Sequence, residues 1–433
     1  MAVRAGGWQL RRVGMLAVLA VVGAGFAGCT GEGGSGPVSG SMSVSPRTAL
    51  VDRPVNVSVR GLPARARIAV TAKATDAGGT TWSASAEFEA SAAGVVSLDQ
   101  PSLGGSYTGV NPMGLFVFMA PSSSHSETTV FLSPSSGYDV ALQAKVGDRV
   151  AATATAHRQT PAAVGVVEKQ LRPASGGIYG NLYLPKTAAG RRPAVVVFGG
   201  SDGGLQRTFD AALLAANGYP SLALAYFKAP GLPQNLNDIP LEYFTKALAV
   251  LRAQRGVDAS HVLVMGYSRG GEAALLLGAY FPQLVNGVIA GVPSSVVNYG
   301  YPDTTRSAWT LRGRQLPAVS PSEYLQPNPA GNPQAIIPVE RIRGPILLAC
   351  GALDAIWPSC GYADAITARL TAHHFTYPVT ALRYPEAGHL AGNLIAYVSI
   401  PDGLLTRFGG SLSGTQAALT DGHIKLLALL AAQ

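Results

Sequence analysis

The chain has 433 residues, 47% hydrophobic and only 13% charged, which supplies core for more than one domain and excludes a disordered polypeptide. Its net charge of +8 comes from Lys and Arg scattered along the chain, with no basic run or interleaved aromatics, so nucleic acid is not an expected partner. Three cysteines and seven histidines show no cluster at ligand spacing, so neither a metal nor a redox cofactor is expected.

At the N-terminus, Arg4, Arg11 and Arg12 precede an apolar stretch over 15–22, and small residues follow up to Phe26-Ala27-Gly28-Cys29. That order predicts an export signal over 1–28 rather than a spanning helix. Cys29 would be the lipidated first mature residue of a bacterial lipoprotein, with plain secretion as the alternative. The expected location is then the outer face of the cell membrane, reached through a lipid anchor. Residues 29–43 are rich in Gly and Ser and read as a flexible tether.

Over 44–160 short runs rich in Val, Ala, Thr and Ser predict strands at 55–59, 67–74, 81–88, 115–119, 129–132, 138–145 and 149–157. Turn residues at 76–79, 134–137 and Gly147-Asp148 separate them. Together they predict an immunoglobulin-like β-sandwich. His125 and His157 stand alone and assemble no site.

The pattern changes over 161–433. An edge strand at 180–185, closed by Pro185, leads into strands at 194–198, 221–226, 262–266, 285–292, 346–351 and 382–384. Helical patterns alternate with them at 208–217, 241–255, 362–372 and 415–430, and from Gly271 onward. Buried strands alternating with helices predict an α/β-hydrolase domain around a mostly parallel sheet, whose chemistry gathers at the strands' carboxyl ends. The segment 298–338 breaks the rhythm with Pro, Gly and four aromatic residues, and reads as a loop or small cap beside the site.

The chemistry centres on Gly266-Tyr267-Ser268-Arg269-Gly270. Between a buried strand and a helix, this G-x-S-x-G makes a turn that lifts Ser268 clear of the sheet, with the Arg269 N–H at a helix N-terminus to meet an oxyanion. A second oxyanion donor is expected from the Gly-rich loop 199–204, at the amide of Gly200 or Ser201. A serine nucleophile needs a base and a group to orient it, each following its own strand in the order acid, then His. Asp354 follows the strand at 346–351 and His389 the strand at 382–384; for Asp354 the bland alternative is helix capping. Cys350 and Cys360 flank Asp354, either as a disulfide or as two buried thiols.

Those residues sit in motifs that resemble the acyl-CoA thioesterase / bile acid-CoA:amino acid N-acyltransferase family. In the first half they are Leu50-Val51-Asp52-Arg53-Pro54, Trp82-Ser83-Ala84 and Pro101-Ser102-Leu103-Gly104-Gly105-Ser106-Tyr107. In the second they are Gly266 to Glu272, Ile337-Pro338-Val339-Glu340-Arg341, Asp354 with Trp357, and Tyr384-Pro385-Glu386-Ala387-Gly388-His389. The resemblance implies a β-sandwich joined to an α/β-hydrolase domain, with Ser268, Asp354 and His389 as nucleophile, acid and base. Family members that conjugate amino acids resemble this chain but carry Cys where it has Ser268, which favours transfer to water. After His389 the chain reads Leu390-Ala391-Gly392-Asn393 instead of the family's acidic, Pro-rich continuation. The expected function is hydrolysis of acyl thioesters of the acyl-CoA type through an acyl-enzyme on Ser268. The alternatives are an exported esterase or acyltransferase using a non-CoA acyl donor, and a catalytically idle binding lipoprotein.

Overall fold

Alternation of buried and exposed side chains builds the first half of the protein. In Arg67–Thr75 the buried residues are Ile68, Val70, Ala72 and Ala74, and in the neighbouring Thr81–Glu89 they are Trp82, Ala84, Ala86 and Phe88. A period of two puts each set on one face. The computed structural model describes residues 39–122, 129–187 and 190–433; the export signal, Cys29 and His125 lie outside them. One sheet runs Thr48–Leu50, Arg149–Gln159, Tyr138–Val146, Arg67–Thr75, Thr81–Glu89 and Gly104–Gly105 in spatial order, with Ala120–Pro121 also on Thr81–Glu89. A smaller sheet of Ser41–Ser45, Asn56–Arg60 and Val96–Ser97 packs Val57 and Val59 into the same core. This is the β-sandwich. Its turn at 76–79 is closed by Asp76, which accepts from the backbone N–H groups of Gly78 and Thr80 and from the Trp82 indole.

Three details differ from the sequence reading. Residues 41–43 pair in a strand with Asn56–Arg60, so the end of the expected tether belongs to the sandwich. Residues 115–119 are no strand: Gly114–Val117 is one helical turn, because Asn111 accepts from the N–H of Met113 and the Tyr107 ring packs where a Gly114 side chain would stand. Residues 129–132 are irregular, although Phe131 still packs on Trp82.

The second half is built on one eight-stranded sheet, with a small three-stranded sheet of Ile239–Pro240, Trp309–Leu311 and Arg314–Gln315 formed in part by the segment 298–338. The order of the large sheet is Val167–Leu171, Tyr179–Leu184, Ser221–Ala225, Arg192–Phe198, Val257–Tyr267, Val288–Gly291, Ile346–Gly351 and Val379–Tyr384. The first two pairings are antiparallel and the rest parallel. The strand read as an edge at 180–185 is therefore internal, covered by Val167–Leu171, whose sequence Val-Glu-Lys-Gln-Leu alternates too little to announce itself. Helices cover both faces, and this half is an α/β-hydrolase fold.

Between the halves lies a buried polar clasp. Asp52 of the sandwich accepts from Asn217 at 2.6 Å and lies 2.9 Å from His423 Nε2 of the C-terminal helix Leu412–Ala431; His423 Nδ1 in turn lies 3.0 Å from the Leu394 carbonyl. Burial alone would raise the Asp52 pKa, but the hydrogen bond and charge of His423, with Asn217 and Arg53, hold it below the usual carboxylate value. A folded pKa below the unfolded one contributes stability above the unfolded value, about 4, and that stability is lost as pH falls through the folded value. Thermal melts from neutral to acid pH should show Asp52→Asn less stable at neutrality and less steeply destabilised by acid than wild type. Parallel melting curves would contradict the assignment.

Cys350, near the end of the penultimate strand of the sheet, and Cys360, in the helix Ser359–Ala372, form a disulfide. It closes a short loop, which sets its contribution at about 2–3 kcal/mol, the low end of the usual range. Cys350→Ala/Cys360→Ala should lower the melting temperature by several degrees, and reductant should lower the wild type but not the variant.

Candidate active site

Ser268 stands between the strand Val257–Tyr267 and the helix Arg269–Tyr280, with φ 57° and ψ −122°. A left-handed φ on a residue with a Cβ is strained by about 1–3 kcal/mol, and the surroundings enforce it. A Cβ on Gly266 would sit 1.9 Å from the Gly270 carbonyl oxygen, and one on Gly270 would sit 2.3 Å from that of Gly199. Both glycines of the motif are thus required by close backbone approach.

His389 opens a short 3-10 turn directly after the segment that follows Val379–Tyr384. Its Nε2 lies 2.9 Å from Ser268 Oγ, and its Nδ1 lies 2.8 Å from Asp354 Oδ2. All three are buried at the side-chain level. The other Asp354 oxygen, Oδ1, accepts from the backbone N–H groups of Ile356 and Trp357 at 2.9 and 3.3 Å. Asp354 therefore closes its own turn and meets the imidazole with the same carboxylate; the helix Ser359–Ala372 starts after Pro358, with no side-chain cap from Asp354 or any other residue. The His389 ring is enclosed by Tyr267 and Trp357 edge-on and by Phe408 stacked at 15°.

The amide donors are arranged around the same hydroxyl. Arg269 is the first residue of its helix, so its N–H has no intrahelical acceptor. Gly200 lies beside the nucleophile: a Cβ there would come within 3.0 Å of Ser268 Cβ and 3.4 Å of Oγ. The buried Tyr226 hydroxyl, its pKa pushed up by burial, lies 2.9 Å from the Gly199 carbonyl and 3.2 Å from that of Gly200. In a trans peptide N–H and C=O point in opposite directions, so this anchor turns the N–H groups of Gly200 and Ser201 away from Tyr226. Ser201 itself is exposed.

Behind the elbow is a charged cluster that the sequence reading did not single out. Glu272, fully buried, lies 3.0 Å from Arg269 Nε, off the hydrogen-bonding direction. It accepts from the backbone N–H of Asn298 and from the Asn298 amide, each at 2.9 Å, and from the Trp309 indole at 2.6 Å. Burial raises its pKa, against the pull of Arg269 and these donors. Arg269 also donates to the carbonyls of Asn298 and Tyr299. The segment 298–338 is thereby tied to the elbow helix, while Tyr324 donates to the Ile356 carbonyl beside the Asp354 turn. Two opposite charges one turn apart in a run of Gly, Ala and Leu were the available signal. Other acidic and histidine side chains are engaged away from the site: Asp364 pairs with Arg383, His261 with Asp258, and His157 with Asp139.

Residues 52–172 match the model described as the acyl-CoA thioester hydrolase/BAAT N-terminal region, and residues 239–393 match the BAAT / acyl-CoA thioester hydrolase C terminal. Acyl-coenzyme A amino acid N-acyltransferase 2 of Rattus norvegicus is 33% identical over 362 residues, 80% of this chain and 85% of that protein. The chain belongs to the acyl-CoA thioester hydrolase/BAAT family. Mitochondrial acyl-coenzyme A thioesterase 2 of Mus musculus, another relative, is 30% identical over 81% of this chain and 78% of its own length. Among solved structures, the α/β hydrolase MGS-M1 from a deep-sea metagenome library superposes with a TM-score of 0.41 at 15% identity, covering 62% of this chain and all of that one. The family's N-terminal match begins at Asp52, and the C-terminal match contains Ser268, Asp354 and His389.

Proposed function

We propose that the protein is a serine hydrolase of acyl-CoA thioesterase type. The observation that carries this reading is the continuous hydrogen-bonded line Ser268–His389–Asp354 at the carboxyl ends of parallel strands. In it, Ser268 Oγ forms a bond to the acyl carbonyl carbon as its proton passes to His389 Nε2. Asp354 holds the imidazole with Nδ1–H towards the carboxylate and balances the imidazolium. The tetrahedral oxyanion is met by the Arg269 N–H and one from Gly200 or Ser201. As the C–S bond breaks, the thiolate takes the proton from His389; water, deprotonated by the same imidazole, then releases the acid and frees Ser268. The family's relatives include both thioesterases and N-acyltransferases, and an oxygen nucleophile supports transfer to water.

The proposed location is outside the cell, on a lipid attached to Cys29. The charged and apolar order of residues 4–29 supports it, and so does the Cys350–Cys360 disulfide, since such bonds persist in oxidising compartments. Membrane fractionation of wild type against Cys29→Ser tests the anchor; equal partition of both would remove it.

Kinetics on matched acyl thioesters and oxygen esters, with and without amine acceptors, test the activity. Release of free acid from thioesters regardless of acceptor is the expected result. Turnover only with an acceptor would make the protein a transferase, and cleavage of oxygen esters alone would make it an esterase.

A further inference from the structure

A cavity of about 620 Å³ lies where the β-sandwich meets the hydrolase fold, within the size range of small-ligand sites. Phe116, Met119 and Val140 come to it from the sandwich; Leu390, Leu404 and Leu419 come from the hydrolase side. Among the described residues that line it, none is charged. A phosphate or other ionic group would find no opposite charge there, whereas a hydrocarbon chain brings no polar group that needs a partner.

Its position relates it to the reaction. Leu390 is the residue after His389, and Leu404 lies one turn before Phe408, which stacks on the His389 ring. Gln206, also in the wall, packs on Gly199 of the loop beside Ser268. The cavity wall thus includes the residue next to His389 and the side chain that packs on the loop beside Ser268. At the outer rim Val130 and Leu132 are 42% and 58% exposed, an arrangement that leaves apolar surface in water unless something covers it. The chain leaving His389 is held in a strained path around the space: Leu394 and Tyr397, both bulky, have φ of 55° and 59°, and Tyr397 lines the wall. Strain of this kind concentrates at ligand sites.

We infer that this inter-domain cavity receives the acyl chain of the substrate, so that the β-sandwich forms half of the specificity pocket. The inference rests on the proposed acyl-enzyme chemistry for its substrate, but it can be tested apart from turnover. Each methylene moved from water into such a pocket strengthens binding about fourfold.

Two variants probe it from opposite walls. Ala396→Trp fills the interior from the hydrolase side, and Val130→Glu/Leu132→Glu places charge on the exposed rim, where folding is not threatened. With acetyl, hexanoyl and dodecanoyl thioesters of a small soluble thiol, wild type should favour dodecanoyl over acetyl by about 10²-fold or more in kcat/KM. That ratio should fall about tenfold or more in each variant. An unchanged ratio in both, or no chain-length preference in wild type, overturns the inference. Independently, Ser268→Ala should bind the fluorescent fatty acid cis-parinaric acid saturably, and each wall variant added to it should weaken that binding about tenfold. Absence of saturable binding also overturns it. Fatty-acid binding without cleavage of any thioester or ester would refute the catalytic reading and leave the pocket standing.

Discussion

Ser268→Ala should lower kcat for acyl-thioester hydrolysis by roughly 10⁴–10⁶-fold, the loss seen when a member of a Ser-His-Asp unit is removed and only oxyanion and binding contributions remain. The magnitude follows from the geometry: removing Oγ deletes the hydroxyl placed 2.9 Å from His389 Nε2. Fold and stability should be nearly untouched, because Ala also carries a Cβ and meets the same left-handed backbone demand. Kinetics on a thioester together with labelling by a fluorophosphonate check this. A variant within tenfold of wild type, or one still labelled at the same site, would show that the nucleophile lies elsewhere and would revive the idle binding reading.

Glu272→Ala should be the most destabilising single change near the site, by about 3–5 kcal/mol, the typical penalty for leaving one partner of a buried ion pair uncompensated. Arg269 would keep its charge in a desolvated position, and the Asn298 amide, the Asn298 backbone N–H and the Trp309 indole would lose their common acceptor. Calorimetry should record a fall in melting temperature of about 10 °C. Glu272→Gln, which keeps a carbonyl acceptor, should be milder. Turnover should fall in the Ala variant and less in the Gln variant, because the elbow helix would be tied to the segment 298–338 by fewer bonds. Wild-type stability in the Ala variant would mean that the cluster is not closed in solution.

Much of this arrangement was legible in the sequence where chemistry and local structure share a pattern. The run Val262 to Met265, the paired glycines around Ser268 and the strand-end positions of Asp354 and His389 follow from turn sterics and from the order of buried strands, both local properties. The strand at 167–171 was missed because an edge strand carrying Glu168, Lys169 and Gln170 has no apolar alternation to show. The helical turn at Gly114–Val117 was read as a strand because Leu115, Phe116 and Val117 are all apolar, and in a run that short tertiary packing by Tyr107 decides the conformation. Glu272 and Tyr226, although they fall within motifs that carry the family resemblance, had no legible role, for a different reason. Their partners, Asn298 with Trp309 and the carbonyls of Gly199 and Gly200, lie 26 or more residues away, and no periodicity encodes such meetings.

The Asp52–His423 clasp bears on how this enzyme type can be taken apart. One carboxylate from the front of the chain satisfies an imidazole and an amide from its far end, so the boundary between the halves is wired with polar groups that neither half can satisfy alone. A fragment carrying only Ser268, Asp354 and His389 would leave Asn217 and His423 without their carboxylate partner. Trimming the protein to a minimal catalyst, or grafting its front half onto another hydrolase, would have to carry the clasp along.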